Sequence, residues 1–241
     1  MRGIHGSAAH RRATRSQDEN VLIVVAKHPA AGHTKTRLTP PLSPLQAASL
    51  YECFLKDTIE LVRGLENVQP AIAYLPAAEA SYFARLAPDF ELLLQRGKSL
   101  GERLDNALTH YLQRGYRCAA VMNSDSPTLP KNHVTACYEA LTGEAEIAIG
   151  PCADGGYYLL GTRKPIPRLT REVRMSTSHV TADTLALAAE EGLRVHLLPT
   201  WYDVDDARTL TWLVTELANT PDPAPHTRLF LEHHRLITRE G

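Results

Sequence analysis

The run Val21-Leu-Ile-Val-Val-Ala26 limits the fold more than any other segment. It is short, rich in β-branched residues and free of polar alternation, the pattern of a parallel strand buried on both faces. The next segments fit such a sheet. Ser43-Pro44 reads as an N-cap with proline at the first helical position, and Leu45, Ala48, Tyr51, Leu55, Ile59 and Val62 recur at helical spacing, so a long helix should pack on the sheet. Further strands are expected at 70–75, 90–94, 117–122, 146–149, 157–160 and 194–198. Between them, helices are expected at 77–86, 132–141, 179–190 and 206–218, with one more opened by the capping box Ser99-Leu-Gly-Glu102. No internal repeat is evident, and this trading of strand and helix predicts a mainly parallel α/β sheet with right-handed crossovers.

A chain of 241 residues with 44% hydrophobic content can bury one substantial core, so a single domain over 21–218 is expected. Before it, 1–20 reads as a loose tail with Arg2, Arg11, Arg12 and Arg15. After it, Asn219-Thr-Pro-Asp-Pro-Ala-Pro225 reads as a linker, because prolines do not sit in a helix interior. Leu229, Phe230, Leu236 and Ile237 then suggest a short helix that docks on the domain or on another subunit. His233 and His234 diverge on such a helix and read as solvated surface.

A formal net charge of -1 gives no basic body for nucleic acid, and no apolar run approaches the roughly 20 residues that span a bilayer. The four cysteines, Cys53, Cys118, Cys137 and Cys152, include no C-x-x-C pair, so buried reduced thiols in a cytoplasmic protein are expected, without a zinc site or disulfide framework. The oligomeric state is left open.

In open α/β sheets ligands sit outside the carboxyl ends of the strands, so the loops there carry the functional reading. The first, Lys27 to Leu38, is basic: Gly32 permits close backbone approach, Lys35 supplies a point charge and Arg37 a planar fork, with Lys27 and Thr36 beside them. It lacks the Gly-Lys-Ser/Thr ending of a Walker loop. The second, Asn123-Ser-Asp125-Ser-Pro127, presents Asp125 as a ligand for a hard divalent ion, while Ser124 and Ser126 should bond the turn backbone. The third, Asp154-Gly155-Gly156, is an ordinary turn by itself; beside the others, Asp154 is a candidate for an acceptor hydroxyl and the glycines for approach to the transferred group. In the fourth, Asp203-Val-Asp205-Asp206, Asp206 reads as a helix N-cap, and Asp203 and Asp205 alternate in extended chain, so both should point at one cation. A further loop, Gln95-Arg-Gly-Lys98 through Arg103, either helps to read a nucleotide or is a solvated helix start.

Together, Ala26-Lys-x-Pro29-x-x-Gly32-x-x-Lys35-Thr-Arg-Leu38, Asp125-Ser-Pro-x-Leu-Pro130, Gly150-Pro-x-x-Asp154-Gly-Gly-Tyr-Tyr158 and Asp203-Val-Asp205 resemble the bacterial radical-SAM/selenodomain-associated transferases, also called arsenosugar-biosynthesis-like glycosyltransferases. The resemblance covers about 21–218 and implies the nucleotide-diphospho-sugar transferase fold, GT-A, a three-layer α/β/α sandwich. More distantly the chain is similar to 2-phospho-lactate guanylyltransferases. That likeness implies that Asp125, Asp203 and Asp205 coordinate one or two magnesium ions and that Lys35 and Arg37 contact phosphates. Members of the transferase family often carry Trp-Ser-Thr where this chain has Met175-Ser176-Thr177, so an acceptor pocket with Ser176 and Thr177 should be altered here.

Two chemistries fit these parts. A glycosyltransferase would use Mg2+ or Mn2+, a nucleotide-sugar donor and a small-molecule acceptor, with Asp125, Lys35 and Asp154 at the reacting centre. A nucleotidyltransferase would move a nucleoside monophosphate from a triphosphate to a phosphorylated small molecule and release pyrophosphate. The first is preferred on the resemblance. A catalytically silent nucleotide-binding module is the reading from a different class.

Overall fold

The computed structural model describes residues 20–220 and 223–237. Residues 1–19 of the expected tail, and Pro221 and Asp222 of the expected linker, lie outside the described residues. One sheet holds β1 (Asn20–Lys27), β2 (Val68–Leu75), β3 (Glu91–Leu94), β4 (Cys118–Met122), β5 (Ile147–Pro151), β6 (Tyr157–Thr162) and β7 (Val195–Leu197). Their spatial order is β3-β2-β1-β4-β6-β5-β7. Six of these strands run the same way, and β6 is antiparallel to both its neighbours, β4 and β5. The reason is local: β5 and β6 are joined by the short Asp-Gly-Gly turn, and a parallel partner would need a crossover of a dozen or more residues.

Helices α1 (Pro44–Arg63), α2 (Ala80–Leu86), α3 (Leu100–Gln113), α4 (Lys131–Thr142), α5 (Pro167–Arg171), α6 (Val180–Glu190), α7 (Ala207–Asn219) and α8 (Pro225–His233) complete the chain. Strand β1 shows why its sequence is apolar throughout. Leu22, Val24 and Ala26 join a core with Leu50, Phe54 and Ile59 of α1, whereas Val21 and Ile23 join a second core with Leu104, Leu108 and Tyr111 of α3. Each such aliphatic side chain contributes about 1.5–3 kcal/mol by leaving water, so both faces hold the sheet.

Helix α1 begins with the expected cap. Ser43 Oγ accepts from Gln46 N at 3.2 Å, and Gln46 Oε1 accepts from Ser43 N at 2.9 Å. Leu45, counted on the apolar face, is instead 69% exposed in the first turn. Only half of the box expected at Ser99 forms: Ser99 Oγ accepts from Glu102 N, but the Glu102 carboxylate turns to Lys98 N at 2.7 Å. The expected helix at 77–86 is split into a 3-10 turn, Ala77–Glu79, and α2. Helix α5, five residues long, carries too little periodicity to be expected from sequence. It packs against α3 at Gly101, where a Cβ would stand 2.0 Å from Thr170 O, so only glycine allows the approach.

Helix α8 lies on α1. The buried Asp57 carboxylate of α1 accepts from His226 N and Thr227 N, both at 2.9 Å, and thereby caps the α8 N-terminus from another element. Phe230, Leu231 and Ile237 face the core, while Leu229, expected to dock, is 54% exposed. His234 Nδ1 meets Gln46 Nε2 at 3.2 Å. No described helix is long and apolar enough to cross a membrane.

Candidate active site

The carboxyl ends of β1 and β4 deliver the basic loop and Asp125 to one edge. After β1 the chain turns at Gly32, with φ 76°, and at Lys35, with φ 51°, a left-handed conformation that a non-glycine residue seldom adopts. Thr34 braces the turn: its Oγ1 accepts from Ala30 N at 3.1 Å and donates to His28 O at 3.2 Å. The result aims Lys35 inward. Its side chain is only 6% exposed, and Nζ lies 2.6 Å from Asp125 Oδ1 and 2.6 Å from Asp205 Oδ1. It also donates to Val204 O at 2.9 Å. An ammonium has three N–H groups, and here all three are committed within the protein. Burial opposes the charge on Lys35, but the Asp125 and Asp205 carboxylates outweigh it and raise its pKa above the ordinary lysine value. Lys35, which the resemblance implies as a phosphate contact, is paired here with two carboxylates.

Asp125 is held by its backbone. Its N donates to Asn123 Oδ1 at 3.3 Å, and its O accepts from Val204 N at 2.8 Å, which stitches the fourth loop to the second. Ser124, expected to bond the turn, reaches further: Oγ donates to Val25 O at 3.1 Å and lies 2.8 Å from Tyr51 OH. Ser126 Oγ is buried without a hydrogen-bond partner, again unlike the expectation.

Asp203 and Asp205 part company. Asp205 meets Lys35 and, through Oδ2, Arg37 Nη2 at 2.6 Å. Asp203 instead clusters with Asp154 and Cys152, one ligand-type atom of each lying within 4.8 Å of the others. Burial first, then the charges of Asp205, Asp154 and Asp125, push the Asp203 pKa up to about 7. Burial also acts on Asp205, but Lys35 and Arg37 override it and hold that carboxyl below its usual value. The Cys152 thiol is raised by burial and by Asp203 and Asp154, so it stays protonated. Asp206 caps α7 as expected, accepting from Thr209 N at 2.8 Å.

The Asp154 turn is built for packing. Asp154 Oδ1 accepts from Gly156 N at 2.8 Å, and Gly155 has φ 93°. A Cβ on Gly155 would stand 2.0 Å from Ser178 O. Thr181 Oγ1 donates to Gly156 O at 2.5 Å and Thr181 N to Gly155 O at 2.9 Å. The glycines thus seat the turn on the start of α6, which accounts for their type without a ligand.

A cavity of about 420 Å3 opens at this edge. Lys27, Lys35, Thr36, Arg37, Arg103, Asp125, Ser176 and Asp205 line it, as do Tyr51, Gln95 and Ser124. Gly32, Asp154, Gly155, Gly156, Thr177 and Asp203 stand outside its lining. Thr177 Oγ1 donates to Arg174 O at 3.1 Å. Sequence reasoning placed Tyr51 only on a packing face and Cys152 only among buried thiols. A polar tip at the end of an apolar helical stripe was the signal for Tyr51; nothing in the sequence marked Cys152.

The family model described as an uncharacterized protein conserved in bacteria (DUF2064) matches residues 58–177. A solved structure from Desulfovibrio desulfuricans G20, provisionally named a nucleotide-diphospho-sugar transferase, is 31% identical over 91% of this chain and 96% of its own, with a TM-score of 0.84. The CMP:2-keto-3-deoxy-manno-octonic acid synthetase complexed with CTP is 11% identical over 83% of this chain and 99% of its own, with a TM-score of 0.53. A 4-diphosphocytidyl-2C-methyl-D-erythritol synthase is 15% identical over 81% and 99%, with a TM-score of 0.55. The last two likenesses are of fold alone. No curated protein matches the sequence. The chain belongs to the same family as the Desulfovibrio desulfuricans protein, and its α/β fold is that of the nucleotide-diphospho-sugar transferases.

Proposed function

We propose that this protein is a divalent-metal-dependent glycosyltransferase that moves a sugar from a nucleotide-sugar donor to a small-molecule acceptor. The protein is an enzyme of the transferase class, the class of its structural neighbours. Membership of the radical-SAM-associated branch and a cytoplasmic setting, consistent with four free cysteines, belong to the same proposal. One observation carries it: Asp154 and Asp203 cluster with Cys152, near enough to Asp125 of the cavity lining for its charge to act on Asp203, and the same lining holds the exposed cation Arg37 and the guanidinium of Arg103.

The donor set suits the ion. Carboxylate oxygens are the ligands that Mg2+ or Mn2+ prefers, and the mutual repulsion around Asp203 is what a cation relieves. Asp154 and Asp203 would hold it with Asp125 near by; Cys152, a neutral thiol, is a poor partner for so hard an ion. When bound, the ion supplies charge neutralisation for a departing diphosphate. Arg37 and Lys27 bind the phosphates, Arg103 the rest of the nucleotide, and Lys35 keeps Asp125 and Asp205 in position. Ser176 at the lip, with Thr177 and the Asp154 turn behind it, forms the acceptor side.

Nucleotidyl transfer is the second reading. Its specific support is the Lys27–Arg37 loop, whose exposed cations would stabilise pyrophosphate as a leaving group. Phosphorus NMR of the protein with Mg2+ or Mn2+ separates the two. Nucleoside diphosphate released from pooled nucleotide sugars, with a cell extract as acceptor source, supports glycosyl transfer. Pyrophosphate released from pooled nucleoside triphosphates overturns it in favour of nucleotidyl transfer, and binding without either release favours a silent nucleotide-binding module.

A further inference from the structure

We propose that Gln95 and Arg103 read the nucleobase of the nucleotide that the cavity takes, Gln95 through a carbonyl oxygen of fixed direction and Arg103 through its guanidinium. This role rests on the protein being a nucleotide-dependent transferase, and it adds the part of the cavity that recognises the base.

Gln95 directly follows β3, lines the cavity and is only 8% exposed. Buried side-chain amides ordinarily spend both ends on the protein. Here Nε2 donates to Ala73 O at 2.8 Å and to Ala26 O at 3.1 Å, carbonyls of β2 and β1. Two carbonyls at one end decide which end is nitrogen, because an oxygen there would face two lone pairs. Both N–H groups are used, and Oε1 accepts from no described residue. The backbone N of Gln95 donates to Tyr74 O at 3.1 Å, so the side chain is tied to the sheet at both its root and its tip. The cavity is thereby given an acceptor that cannot turn round and become a donor.

Arg103, in the first turn of α3, lines the same cavity. Its guanidinium forms no ion pair or hydrogen bond with a described residue, and its Nε is buried without a partner. Arginine only donates. Val25, Leu100, Leu104 and Val121 add apolar lining on which a planar ring can lie. A locked acceptor and a donor-only cation match the polar edge of a nucleobase, where an N–H stands beside a lone pair. A phosphate offers no N–H to Oε1 and would be repelled by it. The pair therefore sets the direction of the edge and penalises a base whose donor and acceptor are misplaced.

The test titrates GDP, CDP, UDP and ADP, each with Mg2+, into full-length protein and into Gln95→Met and Arg103→Gln, with thermal melts alongside. Wild type should prefer one base by roughly tenfold or more, the scale of a buried hydrogen-bonding group left unsatisfied by the wrong partner. Gln95→Met should bring the four within about threefold, chiefly by weakening the preferred one, and Arg103→Gln should flatten the ranking too. A derivative of the preferred nucleotide methylated on the recognised N–H should bind wild type less tightly, yet bind Gln95→Met no less tightly than its parent. Should Gln95→Met fail to fold, Arg103→Gln and the methylated nucleotide decide. An unchanged ranking in the variants, or equal binding of all four bases by wild type, overturns the base-reading role while nucleotide binding stands. If wild type binds none of the four, the nucleotide reading falls and takes this inference with it.

Discussion

Asp203 and Asp205 stand two residues apart on one extended segment, yet they occupy opposite electrostatic worlds. Asp205 is clamped by Lys35 and Arg37, each at 2.6 Å, and its carboxyl is held below its usual value despite burial. Asp203 has Asp154 and a neutral Cys152 for neighbours, and burial with like charge lifts it to about 7. The difference is the reach of one loop. The turn through Gly32 and Lys35 brings two cations into contact with Asp205, while at Asp203 the charge of Lys35 is too weak to offset burial and the neighbouring carboxylates.

Removing Lys35 breaks the comparison most severely. Lys35→Met leaves Asp125 and Asp205 facing one another beside a buried apolar side chain. Stability should fall by about 3 kcal/mol, the low end for breaking a buried pair because both carboxylates are nearly one-third exposed. Urea unfolding measures this, and Mn2+ should restore part of the loss; a loss under ~1 kcal/mol would mean that the clamp is not what holds the edge together.

Next, Asp203→Asn should leave the fold intact but lower metal-dependent turnover by roughly 100-fold or more. In metal-free protein the same variant has a signature in pH. A carboxyl raised to about 7 keeps its proton in the folded state after the unfolded chain has lost its own near 4, so stability falls as pH rises between these values. Asp203→Asn should remove that slope, and an identical slope in the variant would show that Asp203 is not the group responsible.

Arg37→Ala sharpens the contrast from the exposed side. With 69% of its side chain in solvent, its pair with Asp205 is worth at most ~1 kcal/mol, so stability should barely change. Nucleotide affinity should nevertheless weaken by about 1.5 kcal/mol, the low end for a charged hydrogen bond. Calorimetry reads both, and unaltered affinity would place the phosphates elsewhere.

The smallest effect is at Asp206, whose backbone bond to Thr209 N holds its carboxyl below the usual range. Asp206→Ala should cost about 1 kcal/mol as a lost helix cap. Because the folded value is depressed, that cost is present above the unfolded value near 4 and vanishes as pH falls through the folded one. A variant equally destabilised at pH 2 would point to packing instead of the carboxylate.

Much of this edge is legible in the sequence because its parts are local. Val21 to Ala26 had to be a buried strand, Ser43 had to cap a helix, and Asp125, Asp154, Asp203 and Asp205 each follow a strand that aims its loop at the same side. The reversal of β6 is a subtler matter, although the short turn before it already forbids a parallel partner. Alternation misleads: Asp203 and Asp205 share a face of extended chain, but only while no cation arrives from 168 residues away. Likewise, Gly155 reads as room for a ligand until Ser178 O fills that room.

By itself the sequence determined the alternation of strands and helices apart from the short α5, which loops carry charge and that one sheet edge collects them, since period, capping and turn chemistry act over a few residues. Which charges neutralise one another, which carboxylate stays among like charges and which way the Gln95 amide faces were decided only by the tertiary structure. Those outcomes turn on distances of a few ångström between segments far apart in the chain, and at such distances Coulomb and hydrogen-bond energies change with every ångström.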